Sequence, residues 1–144
     1  MGLIEQLLHK TICIDTAPFI YYIERHSTYG KIAKVVFEYI DQGEIFAITS
    51  NISLLEVLVH PFRIGDDKLA GEYRDILLNA EGLKTYSIDH EISENAARLR
   101  AKYNIRTPDA LQIATAITGN ADIFLTNDQA LKKISEIKVL CLSD

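Results

Sequence analysis

The sequence has few of the residues that would support a disulfide scaffold or a structural zinc site. Its 144 residues include only two cysteines, one methionine and no tryptophan. Cys13 and Cys141 each lie in an apolar run, where a free thiol packs as a small hydrophobe, so we expect two unpaired core cysteines. The histidines have no short spacing typical of zinc ligands. They are His9, His26, His60 and His90.

Several other signals are absent. The sequence contains neither a P-loop nor a Gly-x-Gly-x-x-Gly turn, and no nucleophile elbow for a serine hydrolase. No apolar run reaches membrane-spanning length, and the first ten residues carry an acid and lack the basic start of a signal peptide, so we expect a cytoplasmic protein. The net charge of −5 argues against a large basic surface for duplex nucleic acid. It still allows a polyanionic substrate if metal ions neutralise an acidic pocket.

The order of the predicted elements indicates an α/β protein. With 48% hydrophobic residues, the chain fits one compact domain, residues 1–144. Buried-looking strands alternate with helical patterns, which predicts a three-layer α/β domain with a mostly parallel sheet. The expected strands are Thr11–Ile14, Glu44–Thr49, Leu83–Ile88, Ile123–Thr126 and Ile137–Leu142. The expected helices are Pro18–Glu24, Lys31–Asp41, Asn51–His60, Asp66–Ala80, one after Asp89, one after Thr107 and a short one at Asn127–Ile134.

Two helix boundaries have specific signals. Thr107 is a good N-cap and Pro108 a good first helical residue, which places Asp109 in the first turn, where the helix dipole favours a carboxylate. The helix that begins at Asn51 is apolar around most of its circumference, so we expect it to be largely buried. We expect Pro61 to terminate it.

Two acidic residues follow predicted strands. Asp15 and Asp128 come at the polar ends of apolar runs, and ligands of open parallel sheets bind outside the carboxyl ends of the strands. A helix-capping role is the alternative for each of them.

Two further acidic residues lie on predicted helices. Glu56 is surrounded in sequence by apolar residues, and a buried carboxylate there would need a partner. Alternatively, Glu56 belongs to a solvent-facing polar stripe with Ser53 and His60. Asp109 is either a site residue or an ordinary acid of a first helical turn. Carboxylates without nearby histidine or cysteine suit Mg²⁺ or Mn²⁺.

Four short blocks together carry a family resemblance. They are Ile-Cys-Ile-Asp15-Thr, Ser-Leu-Leu-Glu56-Val, Thr-Pro-Asp109-Ala-Leu-Gln-Ile-Ala and Phe-Leu-Thr-Asn-Asp128. In order and approximate spacing they resemble the acidic blocks of PIN-domain ribonucleases, most of all the VapC-like toxins of toxin–antitoxin systems. The resemblance implies a five-stranded parallel sheet in the order 3-2-1-4-5, with helices on both faces. In that order Asp15 and Asp128 emerge side by side where the winding direction reverses, which agrees with the usual ligand position in such sheets.

The resemblance also implies a site and a reaction. Asp15, Glu56, Asp109 and Asp128 would be the catalytic, metal-binding cluster, with Mg²⁺ or Mn²⁺ as cofactor. Thr126 would line the cluster and Asn127 would contact one of its members. The implied activity is hydrolysis of RNA phosphodiester bonds to a 5′-phosphate and a 3′-hydroxyl.

The expected partners are RNA, a second copy of the chain in a homodimer and a cognate antitoxin. The antitoxin would cover the site through a surface near Tyr21 and Tyr22, within the mostly apolar segment Ala17–Ile23, although core packing would explain these residues as well. Candidate bases for steering RNA are Lys31, Lys34, Arg63, Arg98, Arg100, Lys102 and Arg106.

Two alternative functions belong to different classes. One is a catalytically silent PIN-like scaffold that binds RNA or protein. The other is a phosphohydrolase for small phosphoesters or a phospho-receiver domain. In a receiver Asp89 would be the acceptor, but the last strand is followed by Ser143 and Asp144 rather than the required lysine.

Overall fold

The chain folds around one sheet of five parallel strands. The computed structural model describes residues 1–144, and the strand order is β3-β2-β1-β4-β5. The strands are β1 Thr11–Ile14, β2 Phe46–Ser50, β3 Leu83–Tyr86, β4 Ile123–Thr126 and β5 Lys138–Cys141. The helices are α1 Leu3–Leu7, α2 Thr16–Ile23, α3 Gly30–Asp41, α4 Asn51–Ile64, α5 Asp67–Asn79, α6 His90–Tyr103 and α7 Thr107–Thr118, with a 3₁₀ helix at Gln129–Lys133. The predicted architecture and strand order are confirmed.

Helices cover both faces of the sheet, because successive strand residues point to opposite sides. On β1, Ile12 and Ile14 face a core built with α1 to α5, whereas Cys13 faces a second core built with α6 and α7. Small residues of α7, among them Ala110 and Ala114, are completely buried and let the helix lie close to the sheet. The result is the three-layer arrangement expected from the alternating pattern.

Pro61 does not end its helix, which corrects the prediction from sequence. Helix α4 continues through Pro61 to Ile64 and stops at Gly65, which adopts a left-handed conformation with φ 68°. Pro61 has no N–H to donate to the preceding turn, but its buried ring packs inside the domain and the helix tolerates the missing bond. The left-handed glycine is the effective stop signal.

Helix α4 is also less buried than predicted. Leu55, Val59 and Phe62 recur at helical spacing on its outer face and are 61%, 38% and 57% exposed. Ser53 and Val57, on the inner face, are buried. Apolar residues therefore lie on both the inner and the outer face of α4, and the rest of the chain covers only the inner face.

Other boundaries differ by one or a few residues. Arg106, rather than Thr107, occupies the N-cap position of α7, and its side chain makes no capping bond. Thr107 is already helical, and its hydroxyl accepts a bond from Arg100 at 3.0 Å. The short helix expected at Asn127–Ile134 is a 3₁₀ turn. None of the helices has the length and apolar character needed to cross a membrane.

Candidate active site

The candidate site lies at the carboxyl ends of β1 and β4, the adjacent strands from which the chain winds in opposite directions. Pairing continues past β1, because the Asp15 amide donates to the Leu125 carbonyl at 2.9 Å. Asp15 and Asp128 therefore leave the sheet from neighbouring strands, as expected for a ligand site at the switch point.

Asp15 has both roles considered from sequence, since it caps α2 and also lines the site. One carboxylate oxygen accepts from the Thr16 amide at 2.8 Å and the other accepts from the Thr126 hydroxyl at 2.7 Å. Burial raises the pKa of Asp15; the two hydrogen bonds lower it, and the charges of Asp109 and Glu56 raise it further. Asp15, Glu56 and Asp109 are therefore close enough for their charges to interact.

Glu56, on α4, is half-buried and its carboxylate lies beside Thr16 at the start of α2. Its Oε1 accepts a hydrogen bond of 2.6 Å from the Thr16 hydroxyl. The polar stripe proposed from sequence does exist, but it runs from the interior to the surface: Ser53 is fully buried and His60 is exposed. A hydroxyl from α2, rather than a basic residue, is the hydrogen-bonding partner that the Glu56 carboxylate needs.

Asp109 lies in the first turn of α7, as predicted, and its side chain is 13% exposed. The Arg106 guanidinium, which is well exposed, donates to Asp109 at 3.2 Å. Asp109 is the main cause of a raised Arg106 pKa, and the charges of Glu56 and Asp128 act in the same direction. The acidic site therefore includes a base, Arg106, which the sequence suggested only for steering RNA.

Asp128 and Thr126 are linked at the end of β4. The Thr126 hydroxyl, which donates to Asp15, accepts from the Asp128 amide at 3.1 Å, and the Asp128 carboxylate caps the following 3₁₀ turn through the Ala130 amide. Asn127 was expected to contact one of the carboxylates, but its side chain bonds elsewhere. Its amide donates to the Tyr21 hydroxyl at 3.3 Å and its carbonyl oxygen accepts from the Ser143 amide at 3.2 Å.

All four carboxylates line one cleft of about 410 Å³, which we call the acidic cleft. Its other lining residues are Thr16, Ala17, Ile20, Tyr21, Arg106, Thr126 and Asn127. Ala17, Ile20 and Tyr21 form one wall, so three of the seven residues suggested for an antitoxin surface border the cleft. Tyr22 instead stacks on Phe37, with ring centroids 4.6 Å apart, and thus contributes to packing.

The carboxylates of the cleft are not arranged as a finished metal centre. No three carboxylate, histidine or cysteine side chains are positioned to hold one ion. Each carboxylate is instead bonded to a protein donor: Thr16 and Thr126 for Asp15, Thr16 for Glu56, Arg106 for Asp109 and the Ala130 amide for Asp128. The donor set nevertheless fits a hard divalent cation, because it consists of carboxylate oxygens whose mutual repulsion a cation would relieve.

A buried polar network behind the cleft was not predicted from sequence. Gln112 on α7 is 1% exposed; its Nε2 donates to Ser53 Oγ at 2.6 Å and its Oε1 accepts from the Ser50 hydroxyl at 2.7 Å. The same Nε2 lies 3.5 Å from the Thr16 hydroxyl, which donates to Glu56. The network therefore joins α7, α4 and the start of α2 directly behind the carboxylates.

Comparison of the sequence with known families gives one clear result. A profile of the PIN domain matches residues 12–137, which include β2, β3, β4 and all of β1 except Thr11, whereas β5 follows the matched range. No curated protein sequence matches the chain.

Comparison with solved structures identifies similar folds in toxin–antitoxin proteins. A chain of VapBC2 from Rickettsia felis, bound to a promoter DNA fragment, has a TM-score of 0.73 at 19% identity, over 91% of this chain and 98% of that one. A toxin–antitoxin complex from Klebsiella pneumoniae gives 0.71 at 21% identity, over 91% and 97%. VapC20 from Mycobacterium tuberculosis, a toxin that cleaves the sarcin–ricin loop, gives 0.68 at 15% identity, over 88% and 98%.

Proposed function

Since the chain belongs to the PIN domain family, we propose that it is a divalent-metal-dependent endoribonuclease and the toxin of a toxin–antitoxin pair. The observation that carries this proposal is the acidic cleft, in which Asp15, Glu56, Asp109 and Asp128 converge at the switch point of the sheet. Capping roles explain Asp15 and Asp128 one at a time, but they do not explain why two helix carboxylates face the same cleft.

We assign Mg²⁺ or Mn²⁺ to Asp15 and Asp109, with Glu56 and Asp128 completing the site. A divalent ion held there would lower the pKa of a water for in-line attack on a phosphodiester and would stabilise charge on the leaving oxygen. Thr126 and Thr16 hold the carboxylates of Asp15 and Glu56 in fixed orientations through their hydroxyls.

Arg106 is the residue of the cleft that suits a phosphate of the substrate. Its guanidinium is 77% exposed at the cleft, so it can leave Asp109 for an RNA phosphate when Asp109 takes a cation. In this role Arg106 orients the substrate over the carboxylates. Arg106 is one of the seven bases suggested from sequence for RNA steering.

The partners that we propose are an antitoxin and a second copy of the chain, in the cytoplasm where RNA is available. Solved relatives of the same fold are toxin–antitoxin complexes, which supports the first partner. The exposed apolar face of α4, with Leu55, Val59 and Phe62, supports a protein partner at that helix.

The test of the site uses Asp15→Asn and Asp109→Asn, with Asp41→Asn as the matched control, because Asp41 is exposed at the end of α3. Wild type and control should cleave RNA only with Mn²⁺ or Mg²⁺, and both site variants should be inactive. At a Mn²⁺ concentration of about 100 times Kd, binding adds about 2.7 kcal/mol to the stability. For a chain of this size that raises the melting temperature by roughly 5–10 °C.

The site variants should lose most of this thermal shift, whereas the control should keep it. Unchanged cleavage in both site variants would refute the assigned residues. The scaffold alternative has one observation in its favour, namely that no three side chains are positioned for one ion. A wild-type protein that shows neither cleavage nor a melting shift in millimolar Mn²⁺ would decide for the scaffold.

A further inference from the structure

Another cavity, larger than the acidic cleft, lies outside it and has basic rather than acidic residues in its lining. It has a volume of about 590 Å³ and lies between the end of α2 and the start of α3. Its lining includes Arg25, His26, Lys31 and Lys34, and contains no acidic residue. In a chain with net charge −5, this basic cavity is a local positive region next to an acidic site.

The positive charges of the basic cavity are available to a ligand. Arg25 and Lys31 have no ion-pair partner in the structure. Lys34 is 3.8 Å from Glu38, but both side chains are more than half exposed, and such surface pairs contribute little. An incoming anion would therefore replace water rather than a buried protein partner.

The backbone around the cavity is closely packed. Gly30 lines the cavity, and a Cβ at this position would lie 3.1 Å from the Arg25 carbonyl carbon and 3.2 Å from the Tyr21 oxygen. Arg25 adopts a left-handed φ of 54°. His26 Nδ1 accepts bonds from the Thr28 and Tyr29 amides, both at 3.1 Å, so the proton of the neutral ring is on Nε2. The loop therefore holds its basic residues in a defined geometry.

An aromatic cluster connects the basic cavity with the acidic cleft. Tyr21 lines the cleft and His26 lines the cavity, and their ring centroids are 4.5 Å apart. Tyr29 packs against both rings at 5.3 Å. Helix α2 spans the distance between the two sites: the seven steps that separate its eight residues, Thr16 to Ile23, correspond to about 10 Å. A stacked strand that advances about 3.4 Å per nucleotide covers this distance in about three nucleotides.

We propose that the basic cavity binds a backbone phosphate of single-stranded RNA about three nucleotides from the bond in the acidic cleft, with intervening bases against Tyr21, His26 and Tyr29. The inference rests on the proposed ribonuclease function. An acidic peptide would satisfy the positive charges equally well. RNA is favoured because the same path offers aromatic surfaces for bases and ends at carboxylates suited to phosphodiester chemistry.

The experiment compares two charge-matched double variants. The cavity variant carries Lys31→Glu and Lys34→Glu. The control variant carries Lys10→Glu and Lys68→Glu, at two exposed lysines that have no ion pair. Both pairs lower the net charge equally, so any general repulsion of RNA is the same. The probe is a fluorescein-labelled 12-nucleotide oligoadenylate, measured by anisotropy in millimolar Ca²⁺ over a range of salt concentrations. Circular dichroism verifies that each variant is folded.

We expect the cavity variant to bind at least about tenfold more weakly than the control variant. For this variant, the slope of the logarithm of the association constant against the logarithm of the salt concentration should be less steep by about 0.7 for each phosphate that is no longer bound. Tyr29→Leu should weaken binding of the oligoadenylate but not of an abasic oligomer of the same length, because only the former stacks. Equal binding by the two double variants would overturn the proposal.

Two further outcomes separate this inference from the enzyme assignment. If polyglutamate binding depends on Lys31 and Lys34 while oligoadenylate binding does not, the cavity belongs to an acidic protein partner and the proposal is wrong. If metal-dependent cleavage is absent but the selective loss of oligoadenylate binding is found, the ribonuclease function fails and the RNA cavity stands. If cleavage is found without that selective loss, the ribonuclease function stands and the RNA cavity fails.

Discussion

Gln112 offers the sharpest test of how the site is held together, through the change Gln112→Met. Methionine has nearly the same length and volume, so the cost of an empty cavity is small. The substitution removes the acceptor of the Ser50 hydroxyl and the donor to Ser53, which are bonded at 2.7 and 2.6 Å in a region without solvent. The stranded Ser50 hydroxyl costs about 1–3 kcal/mol, and the bond lost at Ser53, whose oxygen still accepts from the Thr49 hydroxyl at 2.9 Å, costs about 1 kcal/mol, so we expect a loss of roughly 2–4 kcal/mol.

Urea unfolding measures this loss. A domain of this size has a stability of about 5–15 kcal/mol, so Gln112→Met should still fold. If the free energy of unfolding falls by about 2 kcal/mol per M urea, the urea concentration at the midpoint of unfolding should fall by about 1–2 M. The matched control is Gln42→Met, because Gln42 is exposed and its side chain makes no hydrogen bond; its effect should stay within about 0.5 kcal/mol.

A double-mutant cycle removes the remaining ambiguity. Ser50 also caps α4 through the Ile52 amide, at 3.1 Å, so Ser50→Ala alone is destabilising for two reasons. The capping loss occurs in both arms of the cycle and cancels. We expect Ser50→Ala and Gln112→Met to be coupled by about 1 kcal/mol or more. Additive effects, or a Gln112→Met midpoint equal to that of the control, would show that the network does not stabilise the fold.

Three other predictions concern stability without metal. Burial is the main cause of the raised pKa of Asp15 in the folded chain, so the folded state holds a proton on Asp15 more tightly than the unfolded state does. Stability therefore falls as pH rises from the pKa of Asp15 in the unfolded chain to its pKa in the folded chain. Asp15→Asn should therefore raise the melting temperature in EDTA at pH 7, and the gain should vanish below the unfolded value of 3.8; a gain that is independent of pH would contradict this. Thr126→Val removes two hydrogen bonds and should cost about 1–3 kcal/mol in urea unfolding, whereas Thr126→Ser should be close to wild type. Gly65→Ala should lower the free energy of unfolding by about 1 kcal/mol, because residue 65 has a left-handed φ. Gly71→Ala, within α5, should raise it by about 0.5–1 kcal/mol. Calorimetry measures both, and effects of the same sign would refute this reasoning.

The fold could be predicted because buried parallel strands have an easily recognised sequence. Cys13 and its neighbours, like Ile123–Thr126, form short apolar runs, and each is followed by an acid at its polar end. The family resemblance then supplied the strand order, which alternation alone does not determine. Helix α4 was predicted less well, because an apolar helix sequence does not show how much of its surface the rest of the chain covers.

The site was predicted in its carboxylates but not in its supporting contacts. Arg106 precedes Asp109 by three residues, a spacing that brings helical side chains together, so this pair had a usable signal. Gln112 follows Asp109 at the same spacing, yet its partners Ser50 and Ser53 come from a distant part of the chain. Long-range hydrogen bonds of this kind are fixed by tertiary packing and leave no local pattern.

The two buried thiols can report local opening of the sheet. Cys13 lies on the central strand and Cys141 on the edge strand β5, and burial raises the pKa of both, so neither thiol reacts until its strand is exposed. Their alkylation rates under native conditions therefore measure two separate opening free energies. If β5 detaches before the rest, Cys141 is modified first, and the end of β4 that presents Thr126 and Asp128 loses its neighbour while Cys13 is still protected.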